Sequence, residues 1–325
     1  MPSAPLARLP REPRSNRGRS DLVHATIALP PFVSVPVNPI DPAVRDPAAP
    51  PTWRRFSGAL SGAEQREFVP FVHRLIATAF TTIRKHFLRP LAVDSKADAS
   101  PVTQADRETE VALRTLIQEH YPRHAVLGEE YGQVGGGPYR WVLDPIDGTR
   151  AFVSNCFLFG TLIALERDDG AGFVPVLGCI AHGAAGAALI GHRDGTTLFV
   201  AGAGERPARV RACSRLQDAT VLSSSTWVGR EQNDAEDIES VARAARMYRS
   251  WGDCFGYFSL ATAGADVMLD PQLEYWDVAA IVPVIEGAGG RVTSWRGGDP
   301  LAEPSLIATA GGLHEQVLER LKSRA

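Results

Sequence analysis

Asp144 and Asp147 are the residues best placed for chemistry. In Trp141-Val142-Leu143-Asp144-Pro145-Ile146-Asp147-Gly148-Thr149-Arg150 an apolar run reads as a buried strand, and Pro145 and Gly148 set the turn into which it delivers both acids. Carboxylates this close in a tight loop at a strand end cannot both turn away from each other, so they need open water or a cation between them. A hard divalent metal meets that need. Gly148 and Thr149 then offer backbone N–H groups and a hydroxyl suited to phosphate oxygens or to a water held by a metal. Standing alone, the same string is equally an acidic surface turn.

Three other acids fall where elements begin or end. Thr103 is expected to cap a helix over Gln104 to His120, stopped by Pro122, with Asp106 in its first turn. By itself that acid reads as one favoured by the helix dipole. A short strand, Ala125 to Leu127, presents Gly128-Glu129-Glu130, and pairing with the strand that ends in Asp144 would set Glu129 beside it. Glu274-Tyr275-Trp276-Asp277 opens a helix that carries Ile281, Val284 and Ile285 to Gly287, where Asp277 also suits a structural cap.

The elements that must hold these residues are legible in outline. Ser61 and Glu64 make a capping box, and Phe68, Phe71, Val72, Leu75, Ile76, Ala79, Phe80, Ile83 and Phe87 keep helical spacing up to Pro90. A polar loop, Lys96 to Ser100, follows. The segments Phe159 to Glu166, Phe173 to Ile180, Ala187 to Ile190 and Thr197 to Val200 are short, apolar and separated by Gly or Asp turns, the pattern of an antiparallel meander. From about Glu205 the elements alternate: strand Thr220 to Ser223, helix Ala235 to Met247, strand Tyr248 to Trp251, helix Phe255 to Ala263, strand Asp266 to Leu269. Strands near Arg291 to Thr293 and Ser305 to Ala308 and a helix over Gly312 to Ser323 end the chain. An α+β fold is expected, with residues 56–204 as an N-terminal metal-site region and 205–325 as a C-terminal αβα region.

Residues 1–55 differ in kind. They hold 12 of the 24 prolines and eight Arg against four acids, with no apolar periodicity, which reads as a disordered extension starting a fold near Trp53. Their Arg-rich start resembles an organelle transit peptide, although prolines interrupt any amphipathic helix. The net charge of the whole chain is -3, so the remainder is mildly acidic, which argues against a nucleic-acid scaffold and suits a site that gathers cations. At 325 residues and 44% hydrophobic the chain can bury one large core or two modest ones, and no apolar run is long enough for a membrane span. Four scattered cysteines without C-x-x-C pairs fit a reducing compartment, the cytoplasm, or an organelle if the extension is a transit peptide.

Asp106 after Pro101-Val102-Thr103, the Gly128-Glu129-Glu130 triplet, the Asp144 to Thr149 loop and Trp276-Asp277-Val278-Ala279 occur in an order and spacing that resembles the inositol monophosphatase-like, metal-dependent phosphatases from about residue 60 onward. The resemblance implies a layered αβαβα sandwich of the inositol monophosphatase and fructose-1,6-bisphosphatase type, and a homodimer. It implies a first Mg²⁺ on Glu129, Asp144 and the Ile146 carbonyl, and a second on Asp144, Asp147 and Asp277, with a third, weakly held ion near Glu129 as a further family feature. Oxygen-only ligation of this kind suits Mg²⁺. Thr149 and Asp106, with Glu129 nearby, resemble the catalytic group that orients and deprotonates water, and the backbone of Gly148 and Thr149 would receive the phosphate.

Gly252-Asp253-Cys254 resembles the signature of the histidinol-phosphatase branch, as do Leu158 to Leu165 and Glu286-Gly287-Ala288-Gly289-Gly290. Asp253 could pair with a substrate ammonium, whereas a neutral polyol would leave its charge only hydroxyl donors; it also suits a helix N-cap before Phe255. Asp270 stands where such families commonly have Glu, one methylene longer, so it is expected either to touch the substrate with shortened reach, directly or through water, or to be structural. The implied reaction is hydrolysis of a small phosphate ester, L-histidinol phosphate first, inositol or another sugar phosphate second. A 3′-nucleotidase lacks an obvious nucleobase platform, and an inactive, binding-only relative would usually have lost one of these acids. The chain contains no G-x-x-x-x-G-K-[ST], H-E-x-x-H or G-x-S-x-G string, and none of its eight His is assigned to a metal.

Overall fold

The computed structural model describes residues 59–90, 93–95, 101–225, 232–303 and 305–322. The extension over 1–55, the start near Trp53 and the loop 96–100 lie outside these residues. Helix α1 (Gly62–Ile83) begins at the expected capping box, with Ser61 Oγ accepting the Glu64 N–H at 3.2 Å and Glu64 accepting the Ser61 N–H at 2.6 Å. The apolar spacing predicts helix up to Pro90, whereas the regular helix stops at Ile83. Beyond it the N–H groups of Lys85 and His86 reach carbonyls three residues back, and Leu88 takes a φ of 60°. A proline disfavours helical geometry in the residue before it, so the chain tightens and turns. Phe87 nevertheless packs inward, 4.7 Å from the Phe159 ring and 5.5 Å from that of Phe152.

Strands β1 (Val93–Ser95) and β2 (Pro101–Thr103) pair as a hairpin that the polar composition does not signal. After α2 (Gln104–His120) comes the larger sheet: β3 (Ala125–Gly128), β4 (Gly132–Val134), β5 (Tyr139–Asp147), then beyond the short helix α3 (Thr149–Val153), β6 (Gly160–Asp168), β7 (Phe173–His182), β8 (Ala187–His192), β9 (Gly195–Val200) and β10 (Gly204–Ala208). Their spatial order is β10-β9-β8-β7-β6-β5-β3-β4, antiparallel except between β3 and β5. The expected meander is therefore present, and β10 carries it to Ala208, so the boundary expected between 204 and 205 falls inside a strand.

The smaller sheet takes β11 (Thr220–Ser223), and after α4 (Gln232–Ala244), β12 (Met247–Arg249); α5 (Asp253–Ala261) leads to β13 (Val267–Asp270) and α6 (Tyr275–Gly287) to β14 (Gly290–Thr293), β15 (Leu306–Ala310) and α7 (His314–Lys322). Its order is β12-β11-β13-β15-β14. Alternation along the strands divides the core. In β5, Trp141 and Leu143 join α1 and α2, while Val142 joins α5 and α6; in the smaller sheet Leu222 and Met268 join that middle layer, while Val221 and Val267 meet α4 and α7. Helices, sheet, helices, sheet, helices make the αβαβα sandwich. Each fully buried Leu or Ile in it contributes roughly 1.5–3 kcal/mol.

Enclosed between two sheets, α6 is apolar on nearly every side, from Val278 to Ile285. It lies close to β7, where a Cβ on Gly178 would fall 2.0 Å from the Ala280 carbonyl oxygen, so only glycine fits. No helix among the described residues is long and apolar enough to cross a membrane.

Candidate active site

The acids converge because of how β5 ends. Parallel pairing sets Gly128 opposite Leu143, and the Glu129 N–H donates to the Leu143 carbonyl at 3.1 Å, which puts Glu129 beside Asp144 as expected. Past Asp144 the pairing with β6 slips, from Asp144 opposite Leu162 to Asp147 opposite Gly160. The slack is a turn. Asp144 Oδ1 accepts the Ile146 N–H at 3.0 Å, Pro145 O accepts the Thr161 hydroxyl at 2.8 Å, and Gly148 takes φ 78°, a left-handed conformation that glycine adopts without strain.

Helices deliver the other two acids. Asp106 and Asp277 each occupy the third position of a helix and accept the N–H of the residue before it, Thr103 at 2.8 Å and Glu274 at 2.9 Å. The first-turn place read for Asp106 and the capping role read for Asp277 are thus both met, each as the third helical residue of a capping box, and that is also what aims them. An oxygen from each of Asp144, Asp147 and Asp277 lies within 4.8 Å of the others. Asp106 joins through Thr149, whose Oγ1 stands 3.4 Å from Asp106 Oδ1 and 3.0 Å from the Ile146 carbonyl oxygen.

Crowding shows in the acidities. Burial, then Glu129, Asp147 and Asp277, push the Asp144 carboxyl well above the usual carboxylate range. Asp147 is raised in the same way by burial, then by Asp253 and Asp277. Burial lifts Asp277 to about 7 and Asp106 to about 6, the latter against the opposing pull of its Thr103 hydrogen bonds. Like charges held together in a desolvated place are the condition that a hard divalent cation relieves, and the donors here are all oxygens. The residues present fit Mg²⁺.

Asp253 is the first residue of α5, not its N-cap, which is Gly252; its own N–H donates to Ser224 Oγ at 2.8 Å. It holds φ 50°, an unfavourable value for a residue with a side chain. Its carboxylate leans on the acidic loop after β5, where a Cβ on Gly148 would lie 3.0 Å from Asp253 Oδ2. Burial raises its pKa, and exposed Arg150 partly offsets this.

Asp270 takes up the surroundings that its structural alternative expects: it is buried, with Oδ1 on the Ser224 N–H at 3.1 Å and Oδ2 on the Tyr257 hydroxyl at 2.8 Å. It therefore braces the segment on which Asp253 leans. Sequence reading also passed over Glu110 and Arg114. Glu110 is fully buried, accepts the N–H groups of Glu130 at 2.8 Å and Tyr131 at 3.2 Å, and pairs with Arg114 at 2.7 Å, so this pair stitches down the turn that carries Glu129. The signal was available: 106, 110 and 114 repeat at i, i+4 on the inner face of α2.

A profile of the inositol monophosphatase family matches residues 64–324. The chloroplastic bifunctional phosphatase IMPL2 of Arabidopsis thaliana is 35% identical over 277 residues, 81% of this chain and 77% of that protein. A histidinol-phosphatase of Streptomyces coelicolor is 33% identical over 237 residues, 72% of this chain and 88% of its own. Among solved structures, an inositol monophosphatase from Zymomonas mobilis superposes with a TM-score of 0.69 at 32% identity, covering 81% of this chain and 100% of that one.

Proposed function

We propose that this chain, which belongs to the inositol monophosphatase family, is a Mg²⁺-dependent phosphomonoesterase whose ester is L-histidinol phosphate. Phosphatases of the family depend on a divalent metal, typically Mg²⁺. Glu129, Asp144 and the Ile146 carbonyl would hold one ion, and Asp144, Asp147 and Asp277 a second. Bound there, Mg²⁺ would draw charge from the phosphate oxygens and lower the pKa of the attacking water. Gly148 and Thr149 offer backbone N–H groups to the phosphate. A water donating to Thr149 Oγ1 can pass its proton on to Asp106 Oδ1, a carboxyl lifted to about 6 and so receptive to it near neutral pH. The new bond joins water oxygen to phosphorus, the bond to the alcohol oxygen breaks, and that oxygen takes up a proton.

The observation that carries the choice of ester is the carboxylate of Asp253, seated against Gly148 on the loop that would receive the phosphate. An alcohol group leaving from that phosphate departs beside an acid. An amine or imidazolium there makes a charge-assisted hydrogen bond, whereas a neutral polyol leaves the acid without a cation. A reducing compartment fits the four free cysteines, and a homodimer belongs to the same reading.

Phosphate release from L-histidinol phosphate and from myo-inositol 1-phosphate, each with Mg²⁺ and with EDTA, tests it. The expected result is Mg²⁺-dependent turnover that favours the amine ester. Asp253→Asn should lower kcat/KM for that ester by about 30-fold, roughly 2 kcal/mol for a charge-assisted bond, and change the inositol ester less than about threefold. A wild-type preference for the inositol ester would sink this choice and spare the metal site.

A further inference from the structure

The first turn of α6 is tied to the larger sheet by a polar network outside the acid cluster. Tyr275, the first residue of α6, donates its hydroxyl to Oε1 of Glu166 in β6. Glu166 is fully buried and accepts Arg140 Nε on its other oxygen at 2.6 Å. Arg140 lies directly across from it in β5, donates to the Tyr275 hydroxyl at 3.2 Å and to Gln133 at 3.0 Å, and stacks 4.4 Å from the centre of the Phe173 ring. Burial, and then Glu166, raise the phenol's pKa, so it stays a donor at any physiological pH. A buried carboxylate satisfied by one cation and one phenol is a stiff anchor, because any arrangement that leaves it unpaired costs several kcal/mol.

Most of what holds α6 in the sandwich is apolar and without direction, which fixes depth better than rotation. A second directional tie, Thr196 Oγ1 to the Val284 carbonyl at 2.7 Å, is near the far end. At the near end Tyr275 is two residues from Asp277, whose Oδ2 is already bound to the Glu274 N–H, so the turn moves as one piece. Arg140 rides on β5, the strand that carries Asp144 and Asp147.

We infer that Arg140, Glu166 and Tyr275 are positioning residues for Asp277: they register the first turn of α6 against β5 and so set the spacing of its carboxylate from Asp144 and Asp147. This rests on the reading of those three acids as a Mg²⁺ site. The test is calorimetric titration of the full chain with Mg²⁺ alone, without ester, alongside thermal melting in EDTA. Tyr275→Phe keeps the ring and removes the hydroxyl. It should weaken the Kd for Mg²⁺ by about five- to tenfold, at the low end of what supporting groups around metals contribute, and change KM for the ester at saturating Mg²⁺ less than about twofold. Arg211→Lys, which loosens the ion pair of partly exposed Arg211 with buried Asp266 elsewhere, should lower the melting temperature and leave that Kd alone. Should Tyr275→Phe not fold, Glu166→Gln, which keeps an acceptor for the phenol, carries the same expectation. A Tyr275→Phe Kd equal to wild type, with Asp277→Asn weakened, would overturn the inference and leave the metal site standing. Wild-type protein that binds no Mg²⁺ would overturn the metal reading, and the inference with it.

Discussion

The acid cluster at the end of β5 and the polar groups around β13 and α7 are both largely withdrawn from water and opposite in character. Asp266 is fully buried, but its carboxylate accepts the Thr220 N–H at 2.6 Å and pairs with Arg211, and His314 sits with each ring nitrogen 2.9 Å from a threonine hydroxyl, Thr293 and Thr309. Every polar atom there is answered by the chain itself. Asp144, Asp147 and Asp277 mostly meet each other, and their pKa values rise accordingly. Polar groups buried for the fold come with their partners, whereas those buried for function are left for a ligand to complete.

The comparison breaks most visibly if one acid is neutralised on each side. Asp144→Asn keeps an acceptor for the Ile146 N–H and removes the charge shared by both proposed ion sites. We expect kcat/KM to fall on the order of 10³-fold, about 4 kcal/mol of transition-state stabilisation. In EDTA its melting temperature should match or exceed wild type, because a carboxyl with a higher pKa folded than unfolded opposes folding at neutral pH. Asp266→Asn should do the reverse, losing about 2–3 kcal/mol of stability with activity per folded molecule unchanged. Arg211 is 35% exposed, which softens that loss. An Asp144→Asn chain that melts well below wild type in EDTA would show that the acids were already satisfied.

Adding the cation is a gentler change to the same comparison. Mg²⁺ at about a hundred times its Kd should stabilise the wild type by roughly 2.7 kcal/mol, about 5 °C of melting temperature for a chain of this size, reversed by EDTA. Asp266→Asn should keep the full response and Asp144→Asn should lose it. Equal responses from both variants would mean that the ion binds elsewhere.

What could be read beforehand follows the same division. The loop from Asp144 to Thr149 was legible because strand, proline, glycine and acids are neighbours in sequence, and Asp106 and Asp277 because capping is a rule of three residues. Asp270 was not, since the Ser224 N–H and the Tyr257 hydroxyl that claim it come from other elements, 46 and 13 residues away. Nor was Glu166, whose phenol partner is 109 residues on. Strands β1, β2, β4 and β10 escaped for another reason: they are short and polar, and pairing with neighbours, not alternation, makes them strands.

The smallest effect probes the satisfied side with protons. Burial, and then Arg291, depress the His314 pKa to about 3 from an ordinary value of 6.5. Between its two threonines the neutral ring donates through one nitrogen and accepts through the other, an arrangement that the doubly protonated ring cannot make. Because the unfolded chain takes up the proton first, the stability that His314 lends is complete above pH 6.5 and declines as the pH falls from there towards 3. By pH 5 the loss should approach about 2 kcal/mol. Other groups titrate in the same window, so the useful quantity is the gap in unfolding free energy between wild type and His314→Gln, measured by urea titration at pH 7 and at pH 5. The gap should narrow by about that 2 kcal/mol. A gap that stays constant would mean that His314 folds as readily charged as neutral, and this cluster would then have slack that the threonine contacts do not suggest.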